Sequence, residues 1–202
     1  MKRNLKSSIL VCAFALIAGC AKVPEEAIQS TSLLIDDARS QDADVYAPEI
    51  FSAARDSFQA AQTEIDLQQG KFALSRNFDS AERLLTSATQ LAREASETGT
   101  VRKQEMRTET EDLLLQAKEA ATEARMLLTK APTGKEGRIA LVAIRTDVDS
   151  LSSMFAEVEG LLTQGNVKSA HDQAKIALDR AQGLTQELQH AIDKSRPNNR
   201  RG

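Results

Sequence analysis

Apolar residues recur at alternating three- and four-residue steps through nearly all of this chain. After Pro24, the positions Ala27, Thr31, Leu34 and Ala38 are spaced four, three, four. Phe51, Ala54, Phe58, Ala61 and Ile65 follow, then Leu74, Phe78, Ala81, Leu85, Ala88, Ala92 and Ala95. After a lapse come Met106, Leu113, Ala117, Ala120, Ala124, Leu127 and Ala131. The last two runs are Leu141, Ile144, Val148, Leu151, Phe155, Val158, Leu162 and Val167, Ala170, Ala174, Ala177, Ala181, Leu184, Leu188, Ala191. Such spacing puts each set on one stripe of a helix and favours left-handed coiled-coil packing. Strand alternation is absent, so the expected fold is all-α.

The breakers fall between the runs. Tyr46-Ala47-Pro48 reads as a helix start with proline in the first turn. Gly70 is expected to end that helix with a left-handed cap. The segment Ala131-Pro132-Thr133-Gly134-Lys135-Glu136-Gly137 is the clearest loop, and Gly165-Asn166 is a second tight glycine turn. Helices joined by so short a link lie antiparallel, so each of Gly70 and Gly165 marks an αα-hairpin. The two hairpins, residues 48–95 and 138–191, form a weak internal repeat.

Between Ala95 and Met106 the apolar stripe lapses but its register survives, since steps of four, three and four land on Gly99, Arg102 and Met106. This predicts one helix from about Lys71 to Lys130, about 90 Å long at 1.5 Å per residue. A kink at Gly99 is the rival, because an exposed mid-helix glycine costs about 1 kcal/mol against alanine. The expected architecture is therefore elongated: antiparallel helical hairpins sharing a long central helix. The polar stretch 96–105 reads as a solvated bridge or a partner-binding face. Seams rich in alanine bury little apolar area per contact but let backbones approach closely. Phe51, Phe58, Phe72, Phe78 and Phe155 are expected to form the densest core.

The N-terminus has a different character. Lys2, Arg3 and Lys6 precede an apolar run from Ile9, which ends at Ile17-Ala18-Gly19-Cys20. The run is about ten residues, too short for a transmembrane helix of about 20. A basic segment, a short apolar segment and small residues before a cysteine resemble the lipobox of bacterial lipoproteins. Residues 1–19 then read as a signal peptide and Cys20 as the lipidated N-terminus, carrying acyl chains that hold the protein to a membrane. Ala21 stands where aspartate would signal inner-membrane retention, so the expected site is the periplasmic face of the outer membrane. The remaining cysteine, Cys12, leaves with the signal, so no disulfide or thiolate chemistry is expected in the mature chain. The domains read as 20–46, the lipidated N-terminus and a short helix; 47–98, the first hairpin; and 99–202, the second hairpin with a basic tail.

Composition supports this class. Loss of Lys2, Arg3 and Lys6 takes the formal charge from −3 to −6, which argues against a nucleic-acid partner. Aromatic content of 3% and few Gly and Pro argue against a β-sandwich or barrel.

Ala38-Arg39, Tyr46-Ala47-Pro48-Glu49, Ala53-Ala54, Ala60-Ala61, Gly70-Lys71-Phe72 and the ladder of Ala81, Ala88 and Ala92 resemble the bacterial domain of unknown function 4398, over residues 25–95. In that family a Gly-Asp-Tyr-like turn joins the hairpin; here Gly-Lys-Phe keeps the glycine and the aromatic and loses the acid. The resemblance implies an envelope lipoprotein, some relatives of which carry peptidoglycan-binding domains. It brings no catalytic residues.

Chemistry is sparse. His171 and His190 are the only histidines, 19 residues apart, and no cysteine remains to join them at a metal. His171-Asp172 reads as a solvated pair on a helix flank. Asp36-Asp37 and Glu109, Glu111 and Asp112 read as solvated helical faces, with no glycine-containing Ca²⁺ loop. No phosphate loop or nucleophile elbow is visible. No catalytic residue, cofactor or metal site is expected. Lys194, Arg196, Arg200 and Arg201 form a basic tail that reads as a frayed, solvated terminus or, alternatively, as a contact for an anionic surface such as peptidoglycan, lipopolysaccharide or a phospholipid headgroup. Two functions fit: a lipid-anchored structural or adaptor protein facing the periplasm, or a repeat-type binding module for peptidoglycan or a periplasmic protein. The 34-residue period of tetratricopeptide repeats is missing.

Overall fold

A computed structural model describes residues 22–131 and 137–195, with side chains up to residue 131 and from 141 onward. Among these residues there are six α-helices, one 3-10 turn and no strand. They are α1 (Glu25–Ser40), α2 (Ala43–Tyr46), α3 (Pro48–Gln69), the 3-10 turn Ala73–Ser75, α4 (Asp79–Lys130), α5 (Gly137–Thr163) and α6 (Val167–Ser195). The fold is all-α, as the three/four periodicity requires. The chain divides into two compact units at Thr100/Val101, and α4 contributes to both.

The first unit sets α1, α3 and the opening of α4 side by side. Phe51 and Ala54 near the start of α3 pack with Ala92 and Ala95, whereas Ala61 and Ile65 near its end pack with Phe78, Ala81 and Leu85. That pairing makes α3 and α4 antiparallel. Ile35 and Ala38 join the first group, and Ala27 and Ile28 the second, so α1 is antiparallel to α3 and parallel to α4. Thr31 and Thr89 share a hydrogen bond of 2.9 Å between α1 and α4. Proline occupies the first turn of α3, where its missing N–H costs nothing. Glu25 and Glu26 open α1 and Arg39 closes it, each favourable against the helix dipole.

The second unit repeats the arrangement. Lys118 of α4 meets Glu159 of α5 at 2.6 Å, and Arg125 donates to Ser152 Oγ at 3.0 Å, so these helices run antiparallel. Arg180 meets Asp147 at 2.8 Å across the antiparallel α5–α6 hairpin. Thr185 Oγ1 on α6 reaches Ala120 O on α4 at 3.0 Å. Ile144, Val148, Leu151, Phe155, Val158 and Leu162 of α5 enter one core with Ala174, Ala177, Ala181 and Leu188 of α6. Each unit is therefore three helices running up, down and up. The hairpins seen in the sequence are two-thirds of that motif, and α4 supplies the last helix of one unit and the first of the other.

Several expectations are corrected. Gly70 is not left-handed: its φ is −67°, whereas Gly165 has φ +78°. Helix α4 begins at Asp79 and not near Lys71, because the preceding residues are tied into a turn of their own. Asn77 Oδ1 accepts from Asp79 N at 2.7 Å, and Gln68 Oε1 accepts from Asn77 N at 3.1 Å. Phe72 and Leu74 are consequently 75% and 77% exposed and belong to no core. Phe58 is half-buried, whereas Phe51, Phe78 and Phe155 are buried as expected.

Beyond the boundary, α4 buries Thr110, Leu114 and Ala121, while Leu113 and Ala120 are only partly covered. Buried positions Gly99, Thr110 and Ala121 are eleven apart. Eleven residues over three turns is 3.67 per turn, near the 3.6 of a straight helix, so a heptad count slips by one residue here. The same slip at the end of α6 buries Ile192 in place of Ala191.

Gly99 lies within a continuous helix and is buried. A Cβ there would stand 3.2 Å from Ala43 Cα, so α2 lies almost backbone-to-backbone on α4. Ser96 donates to Gln41 Oε1 at 2.6 Å on the same side. This start of the polar stretch 96–105 is thus a packed contact in the first unit.

Candidate functional site

One histidine of the second unit, His171, meets two of its acidic residues, Glu109 and Asp172. Val167 begins α6 after the Gly165 turn, and one turn later His171 falls on the same stripe as Val167 and Ala174. It is buried, not solvated, which corrects the expectation of an exposed pair. His171 Nε2 lies 3.2 Å from Glu109 Oε1 on α4, at an angle that makes no hydrogen bond. That buried nitrogen has no hydrogen-bond partner. His171 Nδ1 stands 3.7 Å from Asp172 Oδ1.

Asp172 itself is exposed and accepts from Lys168 Nζ at 2.5 Å, one turn back along α6. This hydrogen bond, with the lysine charge and then His171, holds its carboxyl below the ordinary 3.8, against a smaller opposing effect of burial. Arg107 bonds Glu111 at 3.2 Å and donates to Leu162 O at 3.3 Å, a carbonyl at the end of α5 that also accepts from Gly165 N at 3.1 Å. The cluster closes the end of a helical bundle. It brings the imidazole of His171 to the carboxylates of Glu109 and Asp172, with the ammonium of Lys168 paired to Asp172.

The other candidates stay apart. Asp36 pairs with Arg39 at 3.3 Å and Asp37 accepts from Gln41 Nε2 at 2.8 Å, so each serves its own helix. His190 is exposed on α6. Among the described residues no group of three or more His, Cys, Asp and Glu side chains could hold a metal ion. Cys20 and the tail residues Arg196, Arg200 and Arg201 lie outside the described residues. Among the described residues no helix is long and apolar enough to cross a membrane.

Two concavities among the described residues lie along helix pairs. Between α1 and α3, Arg55, Gln59 and Gln62 border a floor of Ile35 and Phe58. Arg39 at its edge lies 5.5 Å over the Phe51 ring. Between α4 and α6, Gln116, Glu119, Glu123, Gln182 and Gln186 line a polar groove. Sequence reasoning missed the His171–Glu109 approach, although the spacing of His171 from Val167 and Ala174 was a signal for it. It also missed the exposed turn at Phe72 and Leu74, where an aromatic after glycine reads as core.

The family model described as a domain of unknown function (DUF4398) matches residues 26–111. The match runs past the first hairpin and into the part of α4 that serves the second unit. No curated protein and no solved structure matches the chain. The helical bundle built around Tyr46-Ala47-Pro48 and the alanine ladder of α4 is thus similar, over residues 26–111, to the DUF4398 family.

Proposed function

We propose that this protein is a lipid-anchored, non-catalytic structural or adaptor protein of the cell envelope, held at the periplasmic face of the outer membrane through Cys20. The observation that carries the reading is the order of a basic segment, a short apolar run and Ile17-Ala18-Gly19 before Cys20. Two three-helix units with alanine seams, bordered by polar open grooves, suit a scaffold that presents helix flanks to partners. In this reading the His171 cluster is structural: Asp172 pairs with Lys168 and Glu111 with Arg107 at the end of the bundle.

Cells fed a fatty-acid analogue should label the wild-type chain and not Cys20→Ser, and the label should fractionate with the outer membrane. Equal labelling of both chains would refute the anchor. A second reading, a binding module for peptidoglycan or a periplasmic protein, draws on the groove of Gln116, Glu119, Glu123, Gln182 and Gln186. Co-sedimentation with purified cell-wall sacculi, lost on Glu119→Lys with Glu123→Lys, would favour it over the adaptor.

A further inference from the structure

The turn between α3 and α4 presents the two most exposed large apolar side chains among the described residues, Phe72 and Leu74. They stand two residues apart on a pinned backbone. Phe72 O accepts from Ser75 N and from Ser75 Oγ, each at 2.8 Å. Arg76 donates to Gln69 O at 2.8 Å and to Lys71 O at 3.1 Å. Nothing in the local bonding requires these side chains to face water. Other exposed apolar residues, such as Leu115 and Ile176, stand singly on helix flanks, which is ordinary for a surface.

The place of the turn gives it an occupant. Because α1 is antiparallel to α3, the N-terminus of α1 lies at the end where α3 finishes. Val23 packs there with Ala27 and Ile28 against Ile65, Phe78 and Leu85. Only Ala21 and Lys22 separate Val23 from Cys20, a reach of about 10 Å when fully extended. An acyl anchor on Cys20 would therefore hold this end of the first unit against the bilayer surface. Charges around the turn are mixed, Lys71 and Arg76 against Asp66 and Asp79. The apolar pair, not electrostatic attraction, would make the contact.

We propose that the Phe72/Leu74 turn is a second membrane contact, which inserts into the interfacial region of the leaflet that holds the Cys20 acyl chains and orients the first unit on it. The proposal rests on the reading of Cys20 as lipidated. A single long anchor leaves a protein free to tilt; two points at one end restrict that tilt.

The chain has no tryptophan, so Phe72→Trp gives a single reporter at an exposed position where folding is not at stake. Val45→Trp, on α2 at the opposite end of the unit, is the control. The full lipidated chain is placed in mixed phosphatidylethanolamine and phosphatidylglycerol vesicles with brominated acyl chains. Expected is blue-shifted, strongly quenched emission from Phe72→Trp and water-like, unquenched emission from Val45→Trp. Equal emission from both reporters in a chain shown by mass spectrometry to be acylated overturns the turn's contact and leaves the anchor intact. Quenching of Phe72→Trp in a chain that keeps Cys20 and is shown by mass spectrometry to be unacylated supports the contact and refutes the anchor. A concentration-dependent dimer abolished by Phe72→Ser with Leu74→Ser, without quenching, assigns the turn to a second copy and overturns the proposal. In the lipid-free Cys20→Ser chain, the same double substitution should lower residual vesicle binding at least tenfold.

Discussion

Three glycines of the second unit should respond to alanine in opposite directions. Gly165 links α5 to α6 at φ +78°, and Gly183 lies in the middle of α6. Gly160 lies in the last turn of α5. None of the three has a heavy atom within 4 Å of where a Cβ would stand, so sterics do not enter. At Gly165 the left-handed backbone costs an L-residue about 1–2 kcal/mol. Alanine also restricts the unfolded chain, which returns about 0.4–1 kcal/mol. The net expectation is a loss of about 1 kcal/mol. At Gly183, the ordinary helix preference for alanine gives a gain of about 1 kcal/mol. Gly160, so near a helix end, should give a smaller gain of the same sign. Guanidinium unfolding followed by circular dichroism reads these differences as midpoint shifts at constant slope. In thermal unfolding, 1 kcal/mol corresponds to about 2–4 °C for a chain of this size. The order should be Gly183→Ala, Gly160→Ala, wild type, Gly165→Ala. A Gly165→Ala variant as stable as wild type would refute the left-handed turn, and a destabilised Gly183→Ala would refute the open flank of α6.

Ala177→Glu should cost several kcal/mol by forcing an unpaired charge into the α5–α6 core, where Ala177 is fully buried; an unchanged unfolding midpoint would refute that face. His171→Leu should leave the second unit as stable or stabilise it by about 1–3 kcal/mol, since it removes a buried nitrogen without a hydrogen-bond partner. Marked destabilisation by the same measurement would mean that the approach of Glu109 holds the unit together. Asp172→Asn tests the lowered carboxyl: a depressed folded value means stability present above the ordinary 3.8 and lost as pH falls through the folded value. Wild type should exceed Asp172→Asn slightly at neutral pH, the pair being exposed, and the two should converge in strong acid; a gap that widens in acid would reverse the assignment.

Periodicity carried most of the fold because apolar stripes record burial directly. It was sound in α5, where every buried position from Ile144 to Leu162 falls on the expected run. It slipped at Leu113 and Ala120 because a heptad count assumes 3.5 residues per turn, and α4 there follows an eleven-residue spacing. It failed at Phe72 and Leu74 because local bonding by Asn77, Gln68 and Arg76 diverts the chain from helix, and those bonds carry no apolar signature. Gly99 looked like a weak point in α4 because glycine lowers helix propensity. Its use becomes visible only with Ala43 against it. In the His171 cluster the residue types were readable, but the approach of Glu109 depends on the register between α4 and α6, which no single helix encodes.

Helix α4 passes from one unit into the next without a break. Starting a helix is the unfavourable step, with a nucleation constant of about 10⁻³, whereas lengthening one is close to neutral. Once either unit has fixed its part of α4, the other inherits a helix already begun. Disrupting the turns on either side of Thr100 would oblige each half to nucleate alone. The helix that the two units share is thereby a thermodynamic link through the backbone itself. A strain or a ligand that frays α4 in one unit would lower the stability of the other even with no side chain passing between them.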